Sequence, residues 1–353
     1  MFAALGYDNA NRRASLSYSN GTTTNYAYDL AGNRTSLAHA NSTASLLPNA
    51  VTSASYDAAN EQTAFAGATL TYDANGNLTN DGTNTYSWDA RNRLIGVTGG
   101  VNGTFVYEAK GRRIRKTFSG LSTEFLYDGG NIIAEVGSGA VNANYLRSLA
   151  LDEPFVRQTS VNEFYALDPL HTTLLVTDAT ASVKATYTHD PYGNQVSTGS
   201  SSNPFHYTGR EKDDTGFYFY RSRFYSAIRA RFISHDPAGL RGGINPYAYV
   251  SNNPINYRDP LGLAPDLNST VTVQCGDAAL ALKLAVILAD DDIKKSPCCG
   301  RDKNALLNAL NSVRVTCQQP GTSSPCNPSK GPGPKGDVCA CADQRGQIYN
   351  LHG

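Results

Sequence analysis

Residues 219–263 read FYRSRFYSAIRARFISHDPAGLRGGINPYAYVSNNPINYRDPLGL. Two Asp-Pro steps, Asp236-Pro237 and Asp259-Pro260, each open a short turn that ends in leucine (AGL and LGL), with an Asn- and Tyr-rich segment between them. Asp bonds its own backbone and Pro presets φ, so either step alone says only that the chain turns. Together they carry more chemistry. Two carboxylates brought together in a partly dry site repel and share one proton, leaving a neutral acid beside a base that activates water. That is the chemistry of aspartic proteolysis.

Upstream, an aromatic-acid unit recurs as Tyr7-Asp8, Tyr28-Asp29, Tyr56-Asp57, Tyr72-Asp73, Trp88-Asp89, Tyr107-Glu108 and Tyr127-Asp128. The aromatic positions are spaced 21, 28, 16, 16, 19 and 20 residues apart, about the length of a hairpin pair. Alternating stretches such as Thr22–Tyr28 supply strands. Turns such as Asp29-Leu30-Ala31-Gly32-Asn33 and Asp73-Ala74-Asn75-Gly76-Asn77 follow the acid at once. One hairpin buries too little surface to stand alone, so successive hairpins are expected to stack, with tyrosines paired across strands. Sugar binding by exposed aromatics is the lesser alternative, since strand aromatics are usually explained by packing.

Three further blocks precede the quoted stretch: Asp168-Pro169-Leu170-His171-Thr172-Thr173, Tyr187-Thr188-His189-Asp190-Pro191-Tyr192-Gly193-Asn194, and Tyr207-Thr208-Gly209 with Asp214-Thr215-Gly216. With the two Asp-Pro turns and the repeats, they make residues 1–263 resemble the RHS/YD-repeat proteins. In particular they resemble the RHS repeat-associated core, which is related to the C subunits of Tc toxins and to the teneurins. The resemblance implies a mainly β fold, with YD-repeat hairpins over 1–160 forming part of a β shell and a closing core segment over 161–263. It also implies a catalytic group of Asp236, Asp259 and Arg223, a cleavage site at Leu263-Ala264, and a variable C-terminal effector released by self-cleavage. An arginine there could hold one carboxylate ionised. The competing reading leaves each Asp on the backbone of its own turn, with Arg223 as a surface ion-pair partner. The chain departs from the family pattern where Ser226-Ala227 stand in place of Asp-Pro and Ala230 in place of glycine, removing a turn former and a permissive backbone position.

After Leu263 the composition changes. All seven cysteines (Cys275, Cys298, Cys299, Cys317, Cys326, Cys339 and Cys341) lie beyond it. Residues 278–289 read as a buried helix capped by Asp277, Leu306, Leu307, Leu310 and Val313 mark a second helix, and 318–337 is a Pro/Gly-rich loop. Residues 264–353 are therefore expected to form a small, cysteine-rich, partly helical domain. Its cysteines favour disulfides if it is exported, leaving one unpaired. Zinc on Cys298-Cys299 and Cys339-x-Cys341 is the weaker alternative, because neither spacing is a C-x2-C knuckle. This segment has no Glu and one His, His352, which excludes H-E-x-x-H metalloproteases and argues against H-x-E zinc deaminases. Asp290-Asp291-Asp292 reads as a solvated helix end rather than a cation site.

The 353 residues carry 30 basic and 30 acidic side chains, with only 17% charged overall, so no broad nucleic-acid or membrane-surface footprint is expected. No apolar run approaches the roughly 18 residues of a membrane span, and the N-terminus lacks the pattern of a secretory signal. No cofactor or metal is expected. Related shells are much longer, so the chain reads as the distal end of a larger protein or as a reduced gene copy, with open strand edges that favour self-association. The resemblance implies a toxin used between bacteria or against a host, secreted or displayed at the cell surface, with a cognate immunity protein and a secretion-system component as partners. A non-enzymatic adhesion module and a gene remnant are the rival readings.

Overall fold

The computed structural model describes residues 2–18, 21–40, 54–263, 266–267, 340–342 and 348–350. The chain divides into two units, Met1–Asn268 and Ser269–Gly353. In the second unit, Ala340–Ala342 and Ile348–Asn350 pair antiparallel. The helices expected over 278–289 and around 306–313, and the cysteine pairing, lie outside the described residues.

The first unit is a succession of antiparallel strands that pair in chain order. Phe2–Tyr7, Arg13–Tyr18, Thr23–Tyr28 and Arg34–Ala40 form a four-stranded sheet, and Ala54–Tyr56, Gln62–Phe65 and Ala68–Thr69 a three-stranded one. A 14-stranded meander follows, from Thr71–Tyr72 to Gln195–Gly199. Helix among the described residues is confined to three single 3-10 turns, and no helix there is long and apolar enough to cross a membrane.

Alternation along each strand sends one face inward. Leu16, Leu37, Leu78, Leu94, Val97, Phe105 and Phe118 are buried, while Leu126, Ile133, Leu146 and Phe155 on the opposite face are exposed. The buried face packs on the closing segment, whose Phe217, Phe219, Phe224, Ala230 and Ile233 join the same cluster. Tyr207, Tyr218, Tyr220, Tyr225, Phe232 and Tyr249 form an adjoining buried aromatic cluster. The closing segment is thus the core around which the hairpins pack.

The recurring acid makes the turn. Oδ1 of Asp8, Asp57, Asp73 and Asp89 accepts the backbone N–H of the residues two and four further on. The residue three further on is left-handed: Asn11, Gly32, Asn60, Gly76, Asn92 and Gly111 have φ between 56° and 91°. A bulge at each aromatic from Tyr7 to Tyr107 sets it opposite the residue six further on, as in Tyr28 with Arg34 and Tyr107 with Arg113, whereas Tyr127 faces Ile132, five further on.

The tyrosines therefore do not pair across strands as expected. Instead the hydroxyls of Tyr56, Tyr107 and Tyr127 and the indole of Trp88 donate to the carbonyls of Arg34, Leu94, Arg113 and Leu78 in the hairpins before them, each at 2.7 Å. Arg12, Arg93 and Arg112 pair with the acid of their own turn and lie over Tyr28, Tyr107 and Tyr127 of the next repeat at about 5 Å.

Buried charge ties the repeats to the core. Arg113 is fully buried, with Glu211 at 2.8 Å, Asp213 also in contact, and the Phe219 ring 4.2 Å away. Lys116 contributes a second cation to Asp213 at 3.0 Å, so two cations face two anions. Burial alone would raise the Asp213 carboxyl, but Arg113 and Lys116 outweigh it and hold it below its ordinary value.

Arg113→Ala should cost about 3–5 kcal/mol, because it leaves two buried carboxylates with Lys116 as their one remaining cation; a shift of the urea midpoint of the β signal measures it. A buried histidine, His206, and a half-buried one, His189, set a second expectation. Burial, with His206 and Lys212 nearby, pushes His189 down to about 3, and burial with Lys212 pushes His206 to about 4. The unfolded chain takes up these protons near pH 6.5 and the folded chain does not, so stability should fall as pH drops from 7 to 5. His206→Gln should flatten that fall in denaturant titrations across the same range.

Candidate functional site at the two Asp-Pro turns

Both Asp-Pro steps use the turn of the repeats. Gly239 N–H donates to Asp236 O, Gly262 N–H donates to Asp259 O, and both glycines are left-handed, at φ 60° and 68°. Oδ1 of Asp236 accepts Ala238 N–H at 2.7 Å, and Oδ1 of Asp259 accepts Leu263 N–H at 3.0 Å. Each carboxylate thus spends one oxygen on its own turn. The other oxygen of each turns to the same nitrogen: Arg223 Nη2 lies 2.8 Å from Asp236 Oδ2 and 3.4 Å from Asp259 Oδ2.

Arg223 is no surface partner. It is 2% exposed, as is Asp259, with Asp236 at 6%. The guanidinium lies 3.6 Å above the Phe232 ring, and its remaining N–H groups reach Gly262 O at 2.6 Å and Pro246 O at 3.0 Å. Burial outweighs both carboxylates and lowers Arg223 to about 10, so it stays charged at neutral pH. Two buried carboxylates against one cation leave an excess negative charge, which a single proton removes. Burial raises Asp236 above the ordinary carboxylate value despite Arg223 and the Ala238 amide.

Leu263 sits between the acids. Its N–H is on Asp259, and its carbonyl oxygen and the Asp236 carboxyl both face Gly242. A Cβ on Gly242 would fall 2.2 Å from Asp236 Oδ2 and 3.0 Å from Leu263 O. On the far side, Asp266–Leu267 pairs antiparallel with Tyr257–Arg258. Ala264, the other half of the expected cleavage site, lies outside the described residues.

The sequence-predicted residues Asp236, Asp259 and Arg223 thus meet in one buried place, with the half-buried Leu263 beside them. Gly242 was missed, although the Gly242-Gly243 pair just after the first Asp-Pro turn was its signal. At the departure from the family pattern, Ala230 keeps the left-handed backbone of the absent glycine at φ 56°, and Ser226 Oγ accepts Arg229 N–H at 3.4 Å. No cluster of three or more metal-ligating side chains occurs among the described residues.

Comparison with known sequences agrees with the fold. The sequence model of the teneurin YD-shell family matches residues 5–254. The chain belongs to that family. This YD shell is 31% identical over 272 residues to the tRNA nuclease WapA of Bacillus subtilis, covering 72% of this chain and 12% of the relative. It is 29% identical over 220 residues to toxin subunit YenC1 of Yersinia entomophaga, covering 51% of this chain and 22% of that protein. The Tc holotoxin pore of Photorhabdus luminescens shares the fold, with a TM-score of 0.62 at 20% identity over 76% of this chain and 16% of that one. The chain is an RHS/YD, toxin-related protein that spans a small fraction of the length of these relatives.

Gly242→Ala should destabilise the shell by about 1–3 kcal/mol, because the new methyl has to displace a buried carboxyl or a backbone carbonyl; the denaturant midpoint against that of Gly96→Ala, where a Cβ comes no nearer than 3.7 Å to its neighbours, measures the clash.

Proposed function

We propose that residues 1–263 are the distal part of a toxin shell that cuts its own chain between Leu263 and Ala264 and so frees residues 264–353 as the effector it encloses. The division follows the sequence: repeats over 1–160, closing core over 161–263, cargo over 264–353. The observation that carries the reading is the placement of Leu263, with its N–H on one buried carboxylate and its carbonyl oxygen facing the same glycine, Gly242, as the other. In this reading Asp259 takes a proton from a water molecule as the water oxygen attacks the Leu263 carbonyl carbon, and Asp236 gives its proton to the carbonyl oxygen. Collapse of the tetrahedral centre breaks the Leu263–Ala264 bond, with a proton passing to the Ala264 nitrogen. The products are a Leu263 carboxyl group and a free amine at Ala264. Arg223 keeps the pair at one proton and ties Gly262 in place.

The toxin names of the relatives support a role in attack on other cells, and with it export, a cognate immunity protein and a secretion-system component. The chemistry of the freed segment stays unassigned.

The purified chain should run as two pieces, the smaller one beginning at Ala264 or within a few residues of it. Asp236→Asn and Asp259→Asn should each leave the chain whole, since an amide neither shares the proton nor activates water. Because the reaction needs Asp236 protonated and burial sets its value above 3.8, cleavage should slow as pH rises through that value, by as much as tenfold per pH unit beyond it. An uncut, correctly folded parent chain by mass spectrometry and circular dichroism contradicts the proposal.

A further inference from the structure

The segment leading to Leu263 is gripped by three consecutive residues of the closing hairpin. Arg221 Nη1 donates to Pro260 O, Ser222 N–H to Leu261 O at 3.3 Å, and Arg223 Nε to Gly262 O at 2.6 Å. These are main-chain contacts at three successive carbonyls. Side chains are read differently at each position. Leu261 is 47% exposed, whereas a Cβ on Gly262 would lie 2.4 Å from Tyr220 O.

Arg221 is the rung that the acid chemistry does not require. It occupies the first loop position between Tyr218–Tyr220 and Arg223–Ser226 with φ 59°, a place where Asn, Asp or Gly is preferred and Arg is strained by about 1–3 kcal/mol. What its side chain gains there is Asp152. Its Nη1 and Nη2 meet the two Asp152 carboxylate oxygens at 3.0 and 2.7 Å, and Nε and Nη2 meet Gly130 O at 3.1 and 3.0 Å. Asp152 is 2% exposed and takes a second guanidinium from Arg210. Burial would raise its carboxyl, but the two arginines hold it low and charged. The guanidinium is therefore fixed by the turn that connects Ala140–Arg147 to Pro154–Gln158, with one N–H left to aim at Pro260.

We propose that Arg221, locked by Asp152, is a positioning residue. With Ser222 and Arg223 it forms a three-rung ladder that reads the main chain of residues 260–262 and sets the Leu263 carbonyl against Asp236. This rests on the reading of the acid pair as a self-cleaving site. It follows that the ladder accepts almost any side chain at position 261 and none at 262.

The test uses the full chain in two backgrounds. In the cutting-competent chain, synthesised in a cell-free system and followed in time by mass, Arg221→Gly should slow cleavage at least tenfold, although glycine relieves the backbone strain at that position. Arg221→Lys should recover part of the rate, Leu261→Ser should cut within about twofold of the parent, and Gly262→Ala should not cut. In the uncut Asp236→Asn chain, Arg221→Gly should speed hydrogen exchange at the Gly262 and Leu263 amides at least tenfold while the Leu94–Val97 amides stay protected. Parent-like cutting by Arg221→Gly, or unchanged exchange at Gly262 and Leu263, overturns the ladder. If the parent chain stays whole, the self-cleavage reading falls, and the exchange comparison alone decides whether Arg221 positions this segment.

Discussion

A carboxylate that accepts the backbone N–H groups of its own four-residue turn is the interaction on which this shell depends. Local bonds to Oδ1 fix the turn, the left-handed residue after it reverses the chain, and the bulge at the aromatic sends the ring toward the neighbouring hairpin. Because the turn uses one carboxylate oxygen, the other is free. In the repeats that second oxygen binds an arginine or asparagine of the same turn, as in Asp89 with Arg93 and Asp73 with Asn77. In the closing segment both second oxygens meet on Arg223. The same local device, buried and doubled, brings two acids onto one arginine.

Burial decides the difference. Asp8 and Asp89 lie near solvent, where their pairing arginines outweigh a modest desolvation and hold them low. At Asp236 the balance reverses and burial wins. The aromatic core around Phe232, Tyr220 and Tyr249 supplies that dry environment, and the hairpins supply the core's cover. Ion pairs such as Arg113 with Glu211 and Asp213 add little net stability of their own. They make misplacement costly, because an unpaired charge in that interior is worth several kcal/mol.

Much of this was legible in the sequence. Strand alternation, the Asp-led turns with Gly or Asn three residues on, and the pairing of Asp236 with Asp259 through Arg223 all rest on local patterns or on a family resemblance that spans the segment. Each acid does bond the backbone of its own turn with one oxygen, as its residue type suggests, but the arginine that its second oxygen meets is buried rather than at the surface. The tyrosine partners were not legible, because alternation gives the face of a side chain but not the bulge that moves it out of the cross-strand position. Nor were Arg113 with Asp213, 100 residues apart, or Arg221 with Asp152. Such contacts depend on how the meander closes on its core, which no local pattern encodes.

The direct test of the central claim follows the oxygen atom. If a water held by Asp259 attacks the Leu263 carbonyl, a chain synthesised and folded in heavy-oxygen water should yield a shell fragment ending at Leu263 whose terminal carboxyl carries one heavy oxygen atom, with Asp236→Asn yielding no such fragment. A chain that stays intact, or a fragment that ends elsewhere, would contradict the account.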